Sequence, residues 1–120
     1  MRIELFKDFT FEASHFLPNV PPGHKCGRMH GHSYHVTVRV AGEVEPARGW
    51  LVDYAEIAGA FNRRVFDALD HTTLNDTLTN PTTENLAVLI WNQMVDLLPL
   101  SAIEIRETGV HGAIYRGPSV

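Results

Sequence analysis

The chain has 120 residues, a length typical of one domain, residues 1–120. Its net charge is −4 and its ten basic residues are dispersed, so the sequence predicts no basic surface for nucleic acid or for an acidic membrane. One cysteine excludes an intramolecular disulfide framework and is typical of a reducing compartment. The longest apolar run, Leu86 to Trp91, is too short to cross a bilayer and the charged N-terminus is unlike a secretory signal, so we expect a cytoplasmic protein.

Two strands joined by a loop are predicted to open the chain. Residues 2 to 15 alternate between apolar and polar side chains, which predicts a strand. Several prolines then make Leu17 to Met29 a loop, a place where chemical groups are often mounted. A second strand is predicted from His30 to about Ala41.

Three histidines lie on the inward faces of these strands. His15 ends an apolar stripe of the first strand, and His30 and His32 share a face of the second because strand side chains alternate. Three neutral imidazoles with an open fourth position are the pattern of a catalytic zinc site. The alternative, strongest for His15 taken alone, is a hydrogen-bonded core histidine. We predict that the three rings bind Zn²⁺.

The loop carries Cys26 four residues before His30, with Lys25 and Arg28 beside it. Positive charge lowers the pKa of a thiol and favours the thiolate. A general base, a fourth metal ligand and an ordinary buried cysteine are all open roles. We favour the base, because substrate needs the open metal position.

A first helix is predicted from its N-cap Asp53 to the pair Asp70 and His71. Glu56 follows the cap by three residues in a pattern like a capping box, and apolar residues then recur at the helical period. A carboxylate beside a histidine orients the ring and raises its basicity if the helix has ended. The alternative is a histidine stabilised by the helix C-terminus.

A second helix is predicted to start within Asn80 to Thr83 and to run to about Leu98, where Pro99 ends it. Its apolar residues cover more than one stripe, which predicts contact with another subunit. Two short strands, Ser101 to Thr108 and Val110 to Arg116, follow as a hairpin.

Glu107 continues the inward face of the first strand of this hairpin, after Ile103 and Ile105. A carboxylate on an apolar face is costly unless it meets a hydrogen-bond donor. We therefore interpret Glu107 as an anchor for a ligand. The alternative is a carboxylate at a strand end that water reaches.

Six segments together carry a resemblance that runs nearly from end to end: FKDFTFEASH, GHKCGRMHGHSYHV, GWLVDYAEI, LDHTTLN, NPTTENLAVLIW and IRETGVHGAIYRG. With them the chain resembles the 6-pyruvoyltetrahydropterin synthase family of tunnelling-fold enzymes. Three residues separate Cys26 from the His-Gly-His motif, as in the 6-carboxytetrahydropterin synthase branch of queuosine (7-deazaguanine) biosynthesis. The sister branch usually has a longer insert.

The resemblance implies an α+β tunnelling fold (T-fold) of order ββααββ. Such a fold has an antiparallel four-stranded sheet with two helices on one face. Subunits form a barrel by oligomerisation, and two stacked trimers make a homohexamer with active sites between subunits.

The resemblance also implies a reaction, the zinc-dependent conversion of 7,8-dihydroneopterin triphosphate to 6-carboxy-5,6,7,8-tetrahydropterin, acetaldehyde and triphosphate by a carbon-carbon lyase. The alternatives are a 6-pyruvoyltetrahydropterin synthase and a catalytically silent zinc-binding relative. The implied roles are zinc ligands (His15, His30, His32), a base (Cys26), a paired acid/base (Asp70, His71), a pterin anchor (Glu107), positions near the pterin (Thr82, Thr83) and triphosphate contacts (Lys25, Arg28). For the last four residues, a helix cap and solvated charges are the alternatives.

Overall fold

The computed structural model describes residues 1–119, and Val120 lies outside the described residues. The strands are β1 (Arg2–His15), β2 (His30–Glu43), β3 (Thr72–Thr73), β4 (Leu100–Arg106) and β5 (Gly112–Tyr115). The helices are α1 (Tyr54–Phe61), a π-helical segment (Asn62–Phe66), α2 (Asp67–Leu69) and α3 (Thr83–Met94). Short 3-10 turns cover Lys25–Gly27 and Leu74–Asp76.

The sheet has five strands in the order β3-β1-β2-β4-β5. β1 and β2 pair antiparallel along their whole length, so that His15 faces His30 at the last register position. β3 runs parallel to β1, which makes the sheet mixed and corrects the prediction of four antiparallel strands. The extra strand arises because the amide of His71 donates to the carbonyl of Glu12 and draws the chain onto the edge of β1. The predicted α+β architecture with two main helices is confirmed.

The core lies between one face of the sheet and the helices. Alternation along β1 and β2 delivers their apolar side chains to that face, as predicted. Helix α3 adds a buried stripe. The fully buried side chains include Phe11, Tyr34, Val36, Ile57, Phe61, Leu86, Ile90, Met94, Ile103 and Ile105.

The first helix begins where the sequence predicts. Asp53 is the N-cap, and its Oδ1 accepts the amide of Ala55 at 2.8 Å, whereas a capping box would use the amide of Glu56. Tyr54 is the first of the apolar residues that recur at the helical period and were expected to be buried, but it is 53% exposed because it lies in the first turn at the edge of the core.

Helix α3 ends at Met94, one turn earlier than the predicted end at Leu98. Pro99 disfavours the helical conformation of the residue before it. The amides of Leu97 and Leu98 therefore both close onto the carbonyl of Met94 in a tightened last turn. This leaves Val95 and Leu97 as the exposed apolar residues at the helix end.

Strands β4 and β5 form the predicted hairpin, with a five-residue connection (residues 107–111) where one glycine was expected. Both strands are therefore shorter than predicted, and Glu107 follows the end of β4. Gly112 sits so close to β4 that a Cβ there would lie 2.1 Å from the carbonyl oxygen of Ile105. This contact requires glycine and fixes where the connection rejoins the sheet. Among residues 1–119 no helix combines the length and hydrophobicity that a membrane span needs.

Candidate active site

The ring nitrogens of His15, His30 and His32 all lie within 4.8 Å of one another. The Nε2 atoms of His15 and His30 are 3.1 Å apart. Nδ1 of His15 is 2.8 Å from the carbonyl oxygen of Pro81, and Nδ1 of His30 is 2.7 Å from that of Arg28. A carbonyl only accepts, so both Nδ1 atoms carry a hydrogen, and in the neutral form of each ring Nε2 offers a lone pair.

His32 completes the group with a buried nitrogen. No hydrogen-bond partner within residues 1–119 reaches its Nε2 atom. Burial lowers the pKa of His32, and the neighbouring rings of His15 and His30 lower it further against the opposing charge of Glu107. A neutral ring with an unsatisfied buried nitrogen fits a metal ligand. The three imidazoles therefore present suitable donors for one divalent cation.

Glu107 lies beside the cluster with its side chain 19% exposed, and its Oε2 is 3.7 Å from Nε2 of His32. The hydroxyl of Thr83 donates to the other carboxylate oxygen. Burial and Glu107 both raise the pKa of Tyr34, whose hydroxyl is 3.3 Å from Nδ1 of His15 and stays protonated. The carboxylate is thus held by the N-terminus of α3 with one oxygen facing the cluster.

A cavity of about 410 Å³ joins the cluster to the loop after β1. The short turn Lys25–Gly27 holds Cys26 at its wall, and the amide of Cys26 donates to Nδ1 of His24 at 3.1 Å. The structure thereby brings the histidine cluster together with three other residues that the sequence analysis proposed for the site, Lys25, Cys26 and Glu107. The cavity is lined by His15, Leu17, Lys25, Cys26, His30, His32, Glu107, Thr108 and His111.

Asp70 and His71 form the expected pair, with Oδ2 of Asp70 2.7 Å from Nδ1 of His71. The amide of Glu12 donates to the other oxygen of Asp70 at 2.9 Å; this bond first, and His71 second, lower the pKa of the Asp70 carboxyl. His71 has a φ of 59°, a left-handed conformation that is uncommon for a residue with a Cβ. Glu12 of β1 therefore holds both residues of the pair, because its amide donates to Asp70 and its carbonyl accepts the amide of His71.

This pair does not line the cavity that holds Cys26. The side chain of His71 is 77% exposed, and the residue borders a second cavity of about 450 Å³ together with Glu12, Ser33 and Thr73. His32 borders both cavities. Within one chain, the structure therefore leaves the Asp70 and His71 pair outside the cavity of Cys26.

Three further candidates are placed differently from one another. Thr82 is the N-cap of α3, and its hydroxyl accepts the amide of Asn85, so it serves as the cap that the sequence offered as an alternative. Thr83 contacts the carboxylate of Glu107. Arg28 lines a different cavity within its own loop, so one chain does not place it beside the cluster.

Comparison with known proteins identifies the family. The family model described as "6-pyruvoyl tetrahydropterin synthase" matches residues 4–118. A 6-pyruvoyl tetrahydrobiopterin synthase of Homo sapiens is 30% identical, covering 95% of this chain and 91% of the relative. A 6-carboxy-5,6,7,8-tetrahydropterin synthase of Synechocystis sp. is 34% identical over 95% of this chain and 93% of the relative.

Solved structures agree with the sequence comparisons. The structure of Caenorhabditis elegans 6-pyruvoyl tetrahydropterin synthase superposes with a TM-score of 0.88 at 25% identity, covering 98% of this chain and 97% of that one. A Plasmodium falciparum 6-pyruvoyl tetrahydropterin synthase covers 95% of this chain at 18% identity and shares the fold.

Proposed function

Because this chain belongs to the 6-pyruvoyl tetrahydropterin synthase family, we propose that it is a zinc-dependent carbon-carbon lyase acting on 7,8-dihydroneopterin triphosphate. The products are 6-carboxy-5,6,7,8-tetrahydropterin, acetaldehyde and triphosphate, and one water is consumed. The observation that carries the proposal is the cluster of three imidazoles sharing one cavity with Cys26 and Glu107. A metal centre, a base and a carboxylate anchor in one cavity suit a pterin substrate with a hydroxylated side chain.

His15, His30 and His32 are the residues that would hold zinc. The Nε2 atoms of His15 and His30 face each other, and Nε2 of His32 is buried without a hydrogen-bond partner among residues 1–119, which together fit a cation with an open fourth position. When bound, zinc supplies Lewis-acid polarisation of the oxygens of the substrate side chain and so acidifies the adjacent C–H bonds.

Glu107 is the proposed anchor for the pterin ring. The 2-aminopyrimidinone edge of a pterin presents two parallel N–H donors, which a carboxylate accepts in bidentate, charge-assisted hydrogen bonds. Thr83 already holds one carboxylate oxygen, so the orientation of Glu107 is set before substrate arrives. Binding the ring at Glu107 directs the side chain of the substrate toward the histidine cluster.

Proton transfer is assigned to Cys26 and to the pair of Asp70 and His71. Cys26 would remove a proton from the side chain of the substrate as general base. His71, oriented by Asp70, would exchange protons from the opposite side. Because the hydrogen shift is internal to the substrate, the reaction needs no redox cofactor.

The exposure of His71 supports an assembly in which neighbouring chains complete each site. Its ring is 77% exposed and lines a cavity different from that of Cys26, which favours a second chain as the one that brings His71 to the same substrate. We propose a homohexamer built from two trimers, with the pair of one chain serving the cavity of its neighbour.

The choice of the 6-carboxytetrahydropterin branch rests on finer observations. Three residues separate Cys26 from the His-Gly-His motif, and the Synechocystis relative is 34% identical whereas the human one is 30% identical over the same share of this chain. The alternatives remain a 6-pyruvoyltetrahydropterin synthase and a silent relative in which Cys26 closes the metal site. A cytoplasmic enzyme of queuosine biosynthesis completes the proposal, and the one cysteine suits a reducing compartment.

Metal dependence tests the proposed activity as a whole. Dialysis against a chelator is expected to abolish consumption of 7,8-dihydroneopterin triphosphate, and one equivalent of zinc is expected to restore it. Consumption that continues in zinc-free protein would contradict the proposed chemistry.

A further inference from the structure

His111 is a cavity residue that the reaction described above does not use. It lines the 410 Å³ cavity with Cys26 and Glu107. Its ring is not among the nitrogens that lie within 4.8 Å of one another, so it is not one of the proposed zinc ligands. We therefore ask which part of the proposed substrate His111 contacts.

The connection between β4 and β5 contacts one nitrogen of this ring and leaves the other free to donate. The hydroxyl of Thr108 accepts the amide of Val110 at 3.3 Å and lies 3.4 Å from Nδ1 of His111. In the tautomer that carries its hydrogen on Nε2, Nδ1 accepts the hydroxyl hydrogen of Thr108 and Nε2 is a donor. The described residues give Nε2 of His111 no hydrogen-bond partner.

The backbone fixes where this donor sits. Gly112, the next residue, must be glycine to approach β4, so the ring is mounted directly beside a fixed point of the sheet. His111 is exposed, and its neighbour Val110 is 89% exposed, whereas Glu107 is 19% exposed. His111 thus lies at the rim of the cavity, as does the exposed Lys25, and Glu107 lies deeper.

The parts of the proposed substrate follow one another in the same order as the groups along the cavity. A pterin ring that meets Glu107 and a hydroxylated side chain at the histidine cluster leave the triphosphate at the rim. Several negative charges there need hydrogen-bond donors, because the carboxylate inside the cavity repels them. We infer that His111 donates from Nε2 to the triphosphate, beside Lys25, and thereby selects phosphorylated pterins; this inference rests on the proposed function.

The test compares two ligands that differ only in the phosphates. Binding of neopterin triphosphate and of neopterin, the aromatic analogues, is measured by calorimetry on the zinc-loaded protein. His111→Ala is expected to weaken binding of the triphosphate about tenfold, the effect of one charge-assisted hydrogen bond. Neopterin affinity should change by less than about twofold, since neopterin lacks the group that His111 contacts.

Two variants control this measurement. Val110→Ala changes the same connection at a residue that does not line the cavity, and both affinities should be retained. His111→Gln places an N–H donor near the Nε2 position and should recover part of the triphosphate affinity. Zinc content and oligomer size are measured for each variant, so that misfolding is recognised.

The outcomes separate this inference from the proposed function. Unchanged triphosphate affinity in His111→Ala, or an equal loss for both ligands, would overturn the role of His111 and leave the enzyme assignment intact. A wild-type protein that binds neither analogue would overturn both.

Discussion

The Nε2 atoms of His15 and His30 lie 3.1 Å apart, and because Nδ1 of each ring meets a backbone carbonyl, the two Nε2 lone pairs face each other when both rings are neutral. Two facing lone pairs repel unless a cation lies between them. In a tetrahedral zinc site with bonds of about 2.0–2.1 Å, ligand nitrogens are separated by about 3.4 Å. A small outward movement of these two rings therefore suffices to accept the metal.

The cluster predicts that zinc binding depends on His15. His15→Ala is expected to lower zinc from about one equivalent per chain to near zero after dialysis, because two rings and water hold zinc weakly. Metal content by plasma mass spectrometry measures this. His35→Ala is the control, since His35 is exposed and does not line the cavity of the cluster, and it should keep its zinc. Full zinc content in His15→Ala would show that the three rings are not the site.

Cys26 distinguishes an open catalytic site from a closed structural one. Cys26→Ala is expected to retain one zinc per chain and to lower kcat by about 10²-fold or more, the usual contribution of a general base. Zinc content and turnover are measured on the same sample. If the zinc leaves with the thiol, Cys26 is a fourth ligand and the silent relative becomes the better account.

The separation of His71 from Cys26 predicts complementation between chains. Cys26→Ala and His71→Ala should each be inactive, but hexamers assembled from an equal mixture should recover about one quarter of wild-type activity, because random assembly leaves one site in four with both groups. Activity of the denatured and reassembled mixture is the measurement. A mixture no more active than its components would place both groups in one chain.

Thr82 and Thr83 are adjacent but should fail in different assays. Thr83→Val removes the donor that holds Glu107 and should lower kcat/KM about tenfold, mainly through KM. Thr82→Ala removes the N-cap of α3 and should lower the free energy of unfolding by about 1 kcal/mol, with kinetics close to wild type. Chemical denaturation and steady-state kinetics of both variants provide the comparison. A kinetic defect confined to Thr82→Ala would contradict the assignment.

Asp70 predicts a pH dependence of stability. The amide of Glu12 and the ring of His71 lower the pKa of the Asp70 carboxyl in the folded protein. The ionised carboxylate therefore stabilises the fold above the ordinary pKa of 3.8, and this stabilisation is lost as the pH falls through the lowered pKa. The difference in urea midpoint between wild type and Asp70→Asn should therefore be largest near neutral pH and shrink in acid. Both proteins are measured zinc-free, so that metal loss does not contribute. A difference that grows toward low pH would show the opposite shift.

Much of the site could be predicted from the sequence because its geometry follows from local periodicity. Side chains alternate along a strand, so the spacing of His30 and His32 places both rings on one face, and the position of His15 ends the matching stripe. The adjacency of Asp70 and His71 similarly allowed their pairing to be predicted once the helix ended. These inferences need no knowledge of distant contacts.

The remaining features depend on contacts between residues far apart in the chain. The carbonyl of Pro81 orients His15 although the two residues are 66 positions apart, and Thr83 donates to Glu107 at a separation of 24 positions. No local sequence pattern predicts either contact. The same is true of β3, whose pairing depends on the contact of His71 with Glu12. The tightened end of α3 did have a local signal, because the proline at position 99 disfavours a helical Leu98.

Product analysis tests the central claim most directly. The zinc-loaded protein is incubated with 7,8-dihydroneopterin triphosphate, and pterin and aldehyde products are followed by mass spectrometry. We expect 6-carboxy-5,6,7,8-tetrahydropterin together with an equal amount of acetaldehyde. A pyruvoyl product without acetaldehyde would contradict the assigned branch, and no turnover by protein with bound zinc would contradict the assignment as an enzyme.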